Sequence, residues 1–450
     1  VRHLLILALS LLVSSLAFAQ PSGDPIALVP LDSRPATSTL PVDIGAVGGQ
    51  RVLTPPSELL GTWTKGADTQ AIESWLEGTN ATRAIVSLDA LGYGGLVQSR
   101  TSTLTTDEVI ARLEPLRAWQ ARTKARLDAF ITIPRAPDAT DRERNLNVIR
   151  RMFDWVAAGT LTRLFVTWDD ALPGSPAPEE GERLRAEAAV RDLKNVRVYP
   201  GADEVASVML SSLVLEAAQK RPTVRLEFSD ASAKDRVTVY DGLPLEESAT
   251  RQADAAGMAV VPSGGDLTLF VFNGGDRRAA ALRLSALARR GPVALADVFD
   301  VNKAASKLLE DTVTLQRFLA LYGFAAWGTP GNNLGSALAH AAMRVVGGDS
   351  DAHAHLLLRA FVNDYLYSTL VRPQVRERYG DLPLDTAMAR RELLEYLRAA
   401  FKPARLEGTY CLGIADAFFP WARSFEVQVQ VTVTPRTDGA PCPVQSAPAG

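Results

Sequence analysis

Ile26-Ala27-Leu28-Val29-Pro30-Leu31-Asp32-Ser33-Arg34-Pro35 is the stretch that decides the fold class. A short apolar run stops abruptly on an acid, an arginine and a proline. Such a run, bounded by turn residues, reads as a strand buried on both faces. The same phrase recurs downstream. Ala84 to Leu88 ends at Asp89, and Ala129 to Ile133 ends at Pro134-Arg135. Leu164 to Trp168 ends at Asp169-Asp170, and Val196 to Tyr199 ends at Pro200-Gly201-Ala202-Asp203-Glu204. Arg51 to Leu53 is a weaker strand of the same kind. Between these runs, Asp107 to Trp119, Leu146 to Ala157 and Val205 to Lys220 carry apolar residues at helical spacing. Strands alternating with helices imply an α/β fold, a mainly parallel sheet with flanking helices.

A seam falls near Arg221-Pro222. Beyond it, Val224 to Phe228 and Val237 to Tyr240 read as strands around a polar turn. Thr268 to Phe272, Val293 to Ala296 and Phe324 to Trp327 follow as strands, with a helix from Leu334 to Val346. The expected organisation is therefore an N-terminal α/β domain over 24–220, a second, smaller α/β unit over 221–347, and a helical C-terminal region over 348–433 that ends in a strand from Phe425 to Val433. The Pro/Gly/Ala-rich end, 434–450, reads as a disordered tail.

Arg2 and His3 precede an apolar run from Leu4 to Leu16, and Ala17-Phe18-Ala19 is a small-residue cleavage site. This is the pattern of a secretory signal peptide over 1–19, cut after Ala19. It predicts a secreted or periplasmic protein, soluble and without membrane insertion after cleavage. The chain has two cysteines, Cys411 and Cys442. In an oxidising compartment a lone pair predicts one disulfide. Closing a loop of about 30 residues contributes roughly 3–4 kcal/mol in the chain-entropy model.

The 450 residues are 47% apolar and 22% charged, with a formal net charge of -3. No basic stripe with interleaved aromatics is present, so a nucleic-acid partner is not expected. Gly92-Tyr93-Gly94-Gly95 lacks the third glycine of a dinucleotide fingerprint, and no cofactor is expected. It reads instead as a tight turn that lets a ligand approach the backbone. His353-x-His355 sits at a helix start rather than on a strand, so no metal site is expected there. The composition says nothing of oligomeric state.

In a parallel sheet the carboxyl ends of the strands share one edge, and ligands bind in the crevice there. That edge would gather Asp32, Arg34, Asp89, Tyr93, Arg100, Arg135, Trp168, Asp203 and Glu204 as substrate-binding residues. Asn332 and Asn333, after the last strand of the second unit, suit sugar hydroxyls or amides. An Asp or Asn after a strand is also a common helix cap, which fits Asp203, Asn332 and Asn333. Asp32 and Asp89 precede loops, so capping explains them less well. Asp169-Asp170 is the reactive-looking pair. Adjacent carboxylates repel, so one keeps its proton while the other stays charged. That supplies a general acid and a charge stabiliser, and Trp168 offers a ring to stack on a sugar.

Several segments together resemble one family, the bacterial domain of unknown function 4127 proteins. They are Pro30 to Pro35, Ser87 to Leu96 through Ser99-Arg100, Trp168-Asp169-Asp170 and Pro200 to Glu204. Trp327-Gly328-Thr329 through Asn332-Asn333-Leu334-Gly335 and Pro420-Trp421-Ala422-Arg423-Ser424-Phe425-Glu426 complete the set. Two positions depart from the family pattern: Gly328 and Ala422 stand where Asn is expected. If those Asn bind ligand, this member has altered specificity. The resemblance carries no assigned activity and points at the same strand-end residues. The functional expectation is an exported hydrolase acting on a carbohydrate or cell-envelope glycan, with Asp169 and Asp170 catalytic. A non-catalytic envelope protein binding a polar ligand is the alternative, and a divalent-metal-dependent hydrolase is a third.

Overall fold

Along β1 (Ile26–Val29) every residue is buried, but alternate side chains enter different cores. Ile26 and Leu28 face one side of the sheet, and Ala27 and Val29 the other, as the two-residue period of a strand requires. The computed structural model describes residues 24–135, 139–169, 171–312, 318–401, 410–436 and Cys442. The leader read from the sequence lies outside these residues, as does Asp170.

The first sheet has the order β2-β1-β3-β4-β5-β6 and is parallel throughout. Its further strands are β2 (Val52–Leu53), β3 (Arg83–Ser87), β4 (Arg126–Ile133), β5 (Arg163–Trp168) and β6 (Val196–Pro200). The second sheet is also parallel, in the order β11-β10-β9-β7-β8. It comprises β7 (Thr223–Phe228), β8 (Ala259–Val260), β9 (Leu267–Phe272), β10 (Val293–Asp297) and β11 (Gly323–Ala325). The two α/β units expected from the sequence are both present, and each sheet carries flanking helices.

The helix Val205–Ala217 explains how the units join. Its sequence is apolar on almost every side, and ten of its residues are buried. A helix that is apolar all round must be covered all round. It lies with the helix Pro330–Val346 between the sheets, in a core holding Leu28, Ile85 and Phe165 from the first sheet and Val224, Leu269 and Ala294 from the second.

The C-terminal region is helical over Ser350–Ala360, Arg372–Tyr379 and Ala387–Ala400, with a π-helical stretch over Phe361–Val371. Pro373 has no N–H to donate back into that stretch, which helps break the ordinary helical register there. A hairpin of β12 (Tyr410–Phe418) and β13 (Gln428–Pro435) packs on these helices. Cys411 and Cys442 form a disulfide, with Cα atoms 5.4 Å apart.

Four expectations are corrected. Val237 to Tyr240 is no strand; it makes only isolated bridges, Val237 with Pro244 and Tyr240 with Ala171. Its valines are exposed at 64% and 49%, so nothing buries a second strand face. Asp32 and Asp89 do not precede loops, because the helices Pro35–Val47 and Leu88–Tyr93 begin beside them. The hairpin gains a strand that Gly413 and Ala415 hid by breaking apolar alternation. The tail does not begin at Thr434, since Thr434 and Pro435 continue β13.

Candidate functional site

Arg34 ends the turn after β1 and caps the following helix from an extended backbone. Asp32, two residues earlier, accepts its backbone N–H and its Nε at 3.0 Å each, and its Nη2 at 2.8 Å. Thr37 Oγ1 adds a bond to Asp32 at 2.8 Å. The other edge of the Arg34 fork reaches Asp203, after β6, through Nη1 at 3.0 Å and Nη2 at 2.7 Å. Three strands separate β1 from β6 in the sheet, so one guanidinium ties the carboxyl edge together across its width. A planar fork suits two carboxylates in this way. Burial opposes the Arg34 charge, yet Asp203 and Asp32 outweigh it and hold its pKa well above the ordinary value.

Asp169, after β5, pairs with Arg100 at 3.7 Å. Its charge is felt by two neighbours. Burial, opposed by Arg34 and assisted by Asp169 and Asp32, raises the Asp203 carboxyl above the ordinary range. Burial pushes Asp241 up to about 7, with Asp169 adding to the effect. Asp241 lies in the segment that crosses from the second unit, and it accepts the Gly331 N–H at 3.0 Å.

The carboxyl edge of the second sheet closes over this cluster. Asn332 Oδ1 accepts the N–H groups of Ala202 and Asp203 at 3.1 and 3.3 Å. Asn333 Nδ2 donates to the Asp297 carbonyl at 2.8 Å. A third wall comes from the loop before β13. Trp421 Nε1 donates to Ser33 Oγ at 2.9 Å, and the Arg34 guanidinium sits 5.2 Å from its ring. Arg423 binds Glu426 at 2.8 Å and lies against both Trp63 and Trp421, 4.3 and 4.7 Å from the ring centres. Trp63 is 52% exposed. A small cavity of about 70 Å³ opens beside Asp203, with Trp327, Asn332 and Glu426 on its wall and Leu40, Phe324 and Leu356 supplying apolar surface.

The family model described as protein of unknown function, DUF4127, matches residues 26–143 and 139–430, from β1 into β13. The chain belongs to this family. No curated protein matches it.

In this family member the sequence-derived site residues divide by burial. Asp32, Arg34 and Asp203 are in direct contact, and Arg100 pairs with Asp169. Asp89 lies on the same edge but is fully buried, accepting the Thr132 N–H at 2.9 Å. Burial pushes its carboxyl up to about 7 against that bond and against Arg100. Tyr93 is also buried, its hydroxyl donating to Asn145 Oδ1 at 2.6 Å, so it fills the core rather than the crevice. Trp168 is fully buried, donates Nε1 to the Asp241 carbonyl at 2.7 Å, and presses on Gly181. It offers no face to a sugar. Glu204 is fully buried too, accepting Gln252 Nε2 at 2.6 Å and the Ala202 N–H at 3.0 Å. Burial pushes it up to about 8. It belongs to the seam between the units, not to the crevice. Asn332 and Asn333 lie inside the first turn of their helix, where Thr329 holds the cap position. Arg135 is exposed at the end of β4. Asp170 lies outside the described residues.

Asp241, Trp63 and Glu426 were missed as site residues. Trp421, Arg423 and Glu426 stood in a quoted family segment, which was the signal available for them. Trp63 and Asp241 had none. The two departures from the family pattern have a backbone reading. Gly328 has φ 151°, and a Cβ there would come 2.9 Å from the Asn332 Cβ. This backbone has no room for Asn. Ala422 sits at φ 52°, a conformation Asn adopts more readily than Ala.

Proposed function

We propose that the chain is an exported hydrolase acting on a carbohydrate or cell-envelope glycan. The observation that carries the reading is Asp203: a partly exposed carboxyl, raised by burial, within the field of Asp169 and open to the cavity. A carboxyl whose pKa is raised, set near a second carboxyl, is the kind of pairing acid-catalysed glycoside cleavage uses. Asp203, once protonated, donates a proton to the leaving glycosidic oxygen. Asp169 stabilises the positive charge that develops at the anomeric carbon, and water completes the hydrolysis. This moves the acid role from the Asp169-Asp170 pair to Asp203. Trp63, which is exposed, supplies the stacking surface first assigned to Trp168, and Asn332 and Arg34 orient the substrate.

Export is supported by the leader pattern and the disulfide. Among the described residues no helix is long and apolar enough to cross a membrane.

A second reading, a non-catalytic protein binding a polar ligand, draws on the saturation of Asp203 by Arg34, which takes both of its oxygens. The purified mature chain, incubated with muropeptides and 2-acetamido glycosides, should release new reducing ends. Binding of the same compounds without release supports the second reading. Release abolished by a chelator and restored by a divalent cation would point to metal-dependent hydrolysis instead.

A further inference from the structure

Five arginines are buried among the described residues: Arg34, Arg142, Arg144, Arg359 and Arg372. Four have a carboxylate partner. Arg34 holds Asp32 and Asp203, Arg142 holds Glu180, Arg144 holds Asp141, and Arg359 holds Asp43. Arg372 has none among those residues. Its Nη2 donates to the Asn302 carbonyl at 2.7 Å, while its Nη1 is buried with no hydrogen-bond partner. Leaving a buried ion without a counter-charge is among the costlier things a fold does.

A second orphan donor lies close by. Trp327 Nε1 is also buried without a partner. Both groups meet the ring of Phe425, the indole with its ring 5.4 Å away and the Arg372 guanidinium 6.0 Å away. Two further cations converge on the same short segment. Arg423 stands 5.3 Å from the Phe425 ring, and Arg376 Nε donates to Ser424 Oγ at 3.4 Å. The one acid in the segment, Glu426, is already bound by Arg423. Three guanidinium groups and an indole N–H thus surround a segment with one acid of its own, while the buried Asp364 accepts the Trp327 backbone N–H at 3.2 Å.

We propose that Arg372 Nη1 and Trp327 Nε1 form a binding site for a small oxyanion, a carboxylate, phosphate or sulfate group, with Phe425 as its cover. The guanidinium fork and the indole N–H are both pure donors, so only an acceptor-rich anion satisfies them. Phe425 is half-buried, and its ring lies beside both the indole and the guanidinium group. The site lies beside the cavity through Trp327, which lines it. It does not depend on the glycan reading: the oxyanion is either a free ion or a group carried by the crevice ligand.

The test is thermal unfolding of the mature chain titrated with sodium phosphate, sodium sulfate or sodium lactate, at ionic strength held constant with sodium chloride. A saturable rise in Tm, about 1–3 °C at tenfold excess over Kd, is expected with at least one of the three. Phosphate and sulfate acting without lactate assign the site to an inorganic ion. Lactate acting alone assigns it to a carboxylate-bearing ligand. Arg372→Met and Trp327→Phe should each weaken the response tenfold or more. If Arg372→Met does not fold, Trp327→Phe decides. No rise beyond the chloride control in the wild type overturns the proposal, as does an undiminished rise in Trp327→Phe or Arg372→Met.

Discussion

Arg34 is the residue on which the carboxyl edge depends. It is the direct counter-charge for two carboxylates that burial has stripped of water. Arg34→Met leaves both unpaired, and removing one partner of a buried ion pair costs about 3–5 kcal/mol. Urea unfolding should show that loss, and a change under 1 kcal/mol would mean that water reaches the cluster freely. Glu204 makes a different prediction. Its folded pKa, about 8, lies above the ordinary 4.5. The folded state therefore holds a proton that the unfolded state releases over that interval. Its contribution is fully present below about 4.5 and is lost as pH rises through about 8, at roughly 1.4 kcal/mol per unit. Asp89, Asp241 and Asp297, each pushed up to about 7 by burial, deepen the same decline. Stability measured from pH 5 to 8 should fall, and Glu204→Gln should flatten part of the slope. A stability that climbs over this range would contradict the assignment. The sequence could mark Asp32, Arg34 and Asp203 because each follows a strand. It could not tell them from Tyr93 or Trp168, whose polar atoms find buried partners 52 and 73 residues away in the chain.

Elements were legible where the chain spoke with one period. The first-sheet strands read from apolar runs all formed, because their side chains are buried on both faces and nothing competes with that pattern. Val237 to Tyr240 misled because alternating valines also occur in an exposed crossing segment. The turn Trp421-Ala422-Arg423 sets the third wall of the crevice, and Ala422 holds it in a left-handed backbone conformation. Ala is strained there and Gly is not. Ala422→Gly should raise stability by about 0.5–1 kcal/mol, and Ala422→Asn should act in the same direction. A loss of stability in both would show that the methyl group packs usefully. Gly328→Asn should do the reverse, since its Cβ meets Asn332.

At the scale of the whole molecule, the seam expected at Arg221-Pro222 divides two sheets but not two cores. The helix Val205–Ala217 buries residues against both sheets, so neither unit can keep its interior without the other. Urea unfolding followed by far-UV circular dichroism and by tryptophan fluorescence should give coincident transitions. Two separated transitions would show the units to be independent. Sequence patterning could not reveal this joining, because an all-apolar helix says that it is covered and not by what.

The same joining brings the two carboxyl edges face to face and makes one crevice of them, and the central claim is that this crevice hydrolyses a glycan. The most direct measurement is kcat/KM of the mature chain on a muropeptide that it cleaves, compared with Asp203→Asn and Asp169→Asn, with ligand Kd and Tm recorded for each. Loss of kcat/KM by about a hundredfold or more in each variant is predicted, with Kd changed less than tenfold and Tm still showing a cooperative fold. Turnover unchanged in both variants, or no turnover by the wild type on any glycan it binds, would contradict the claim.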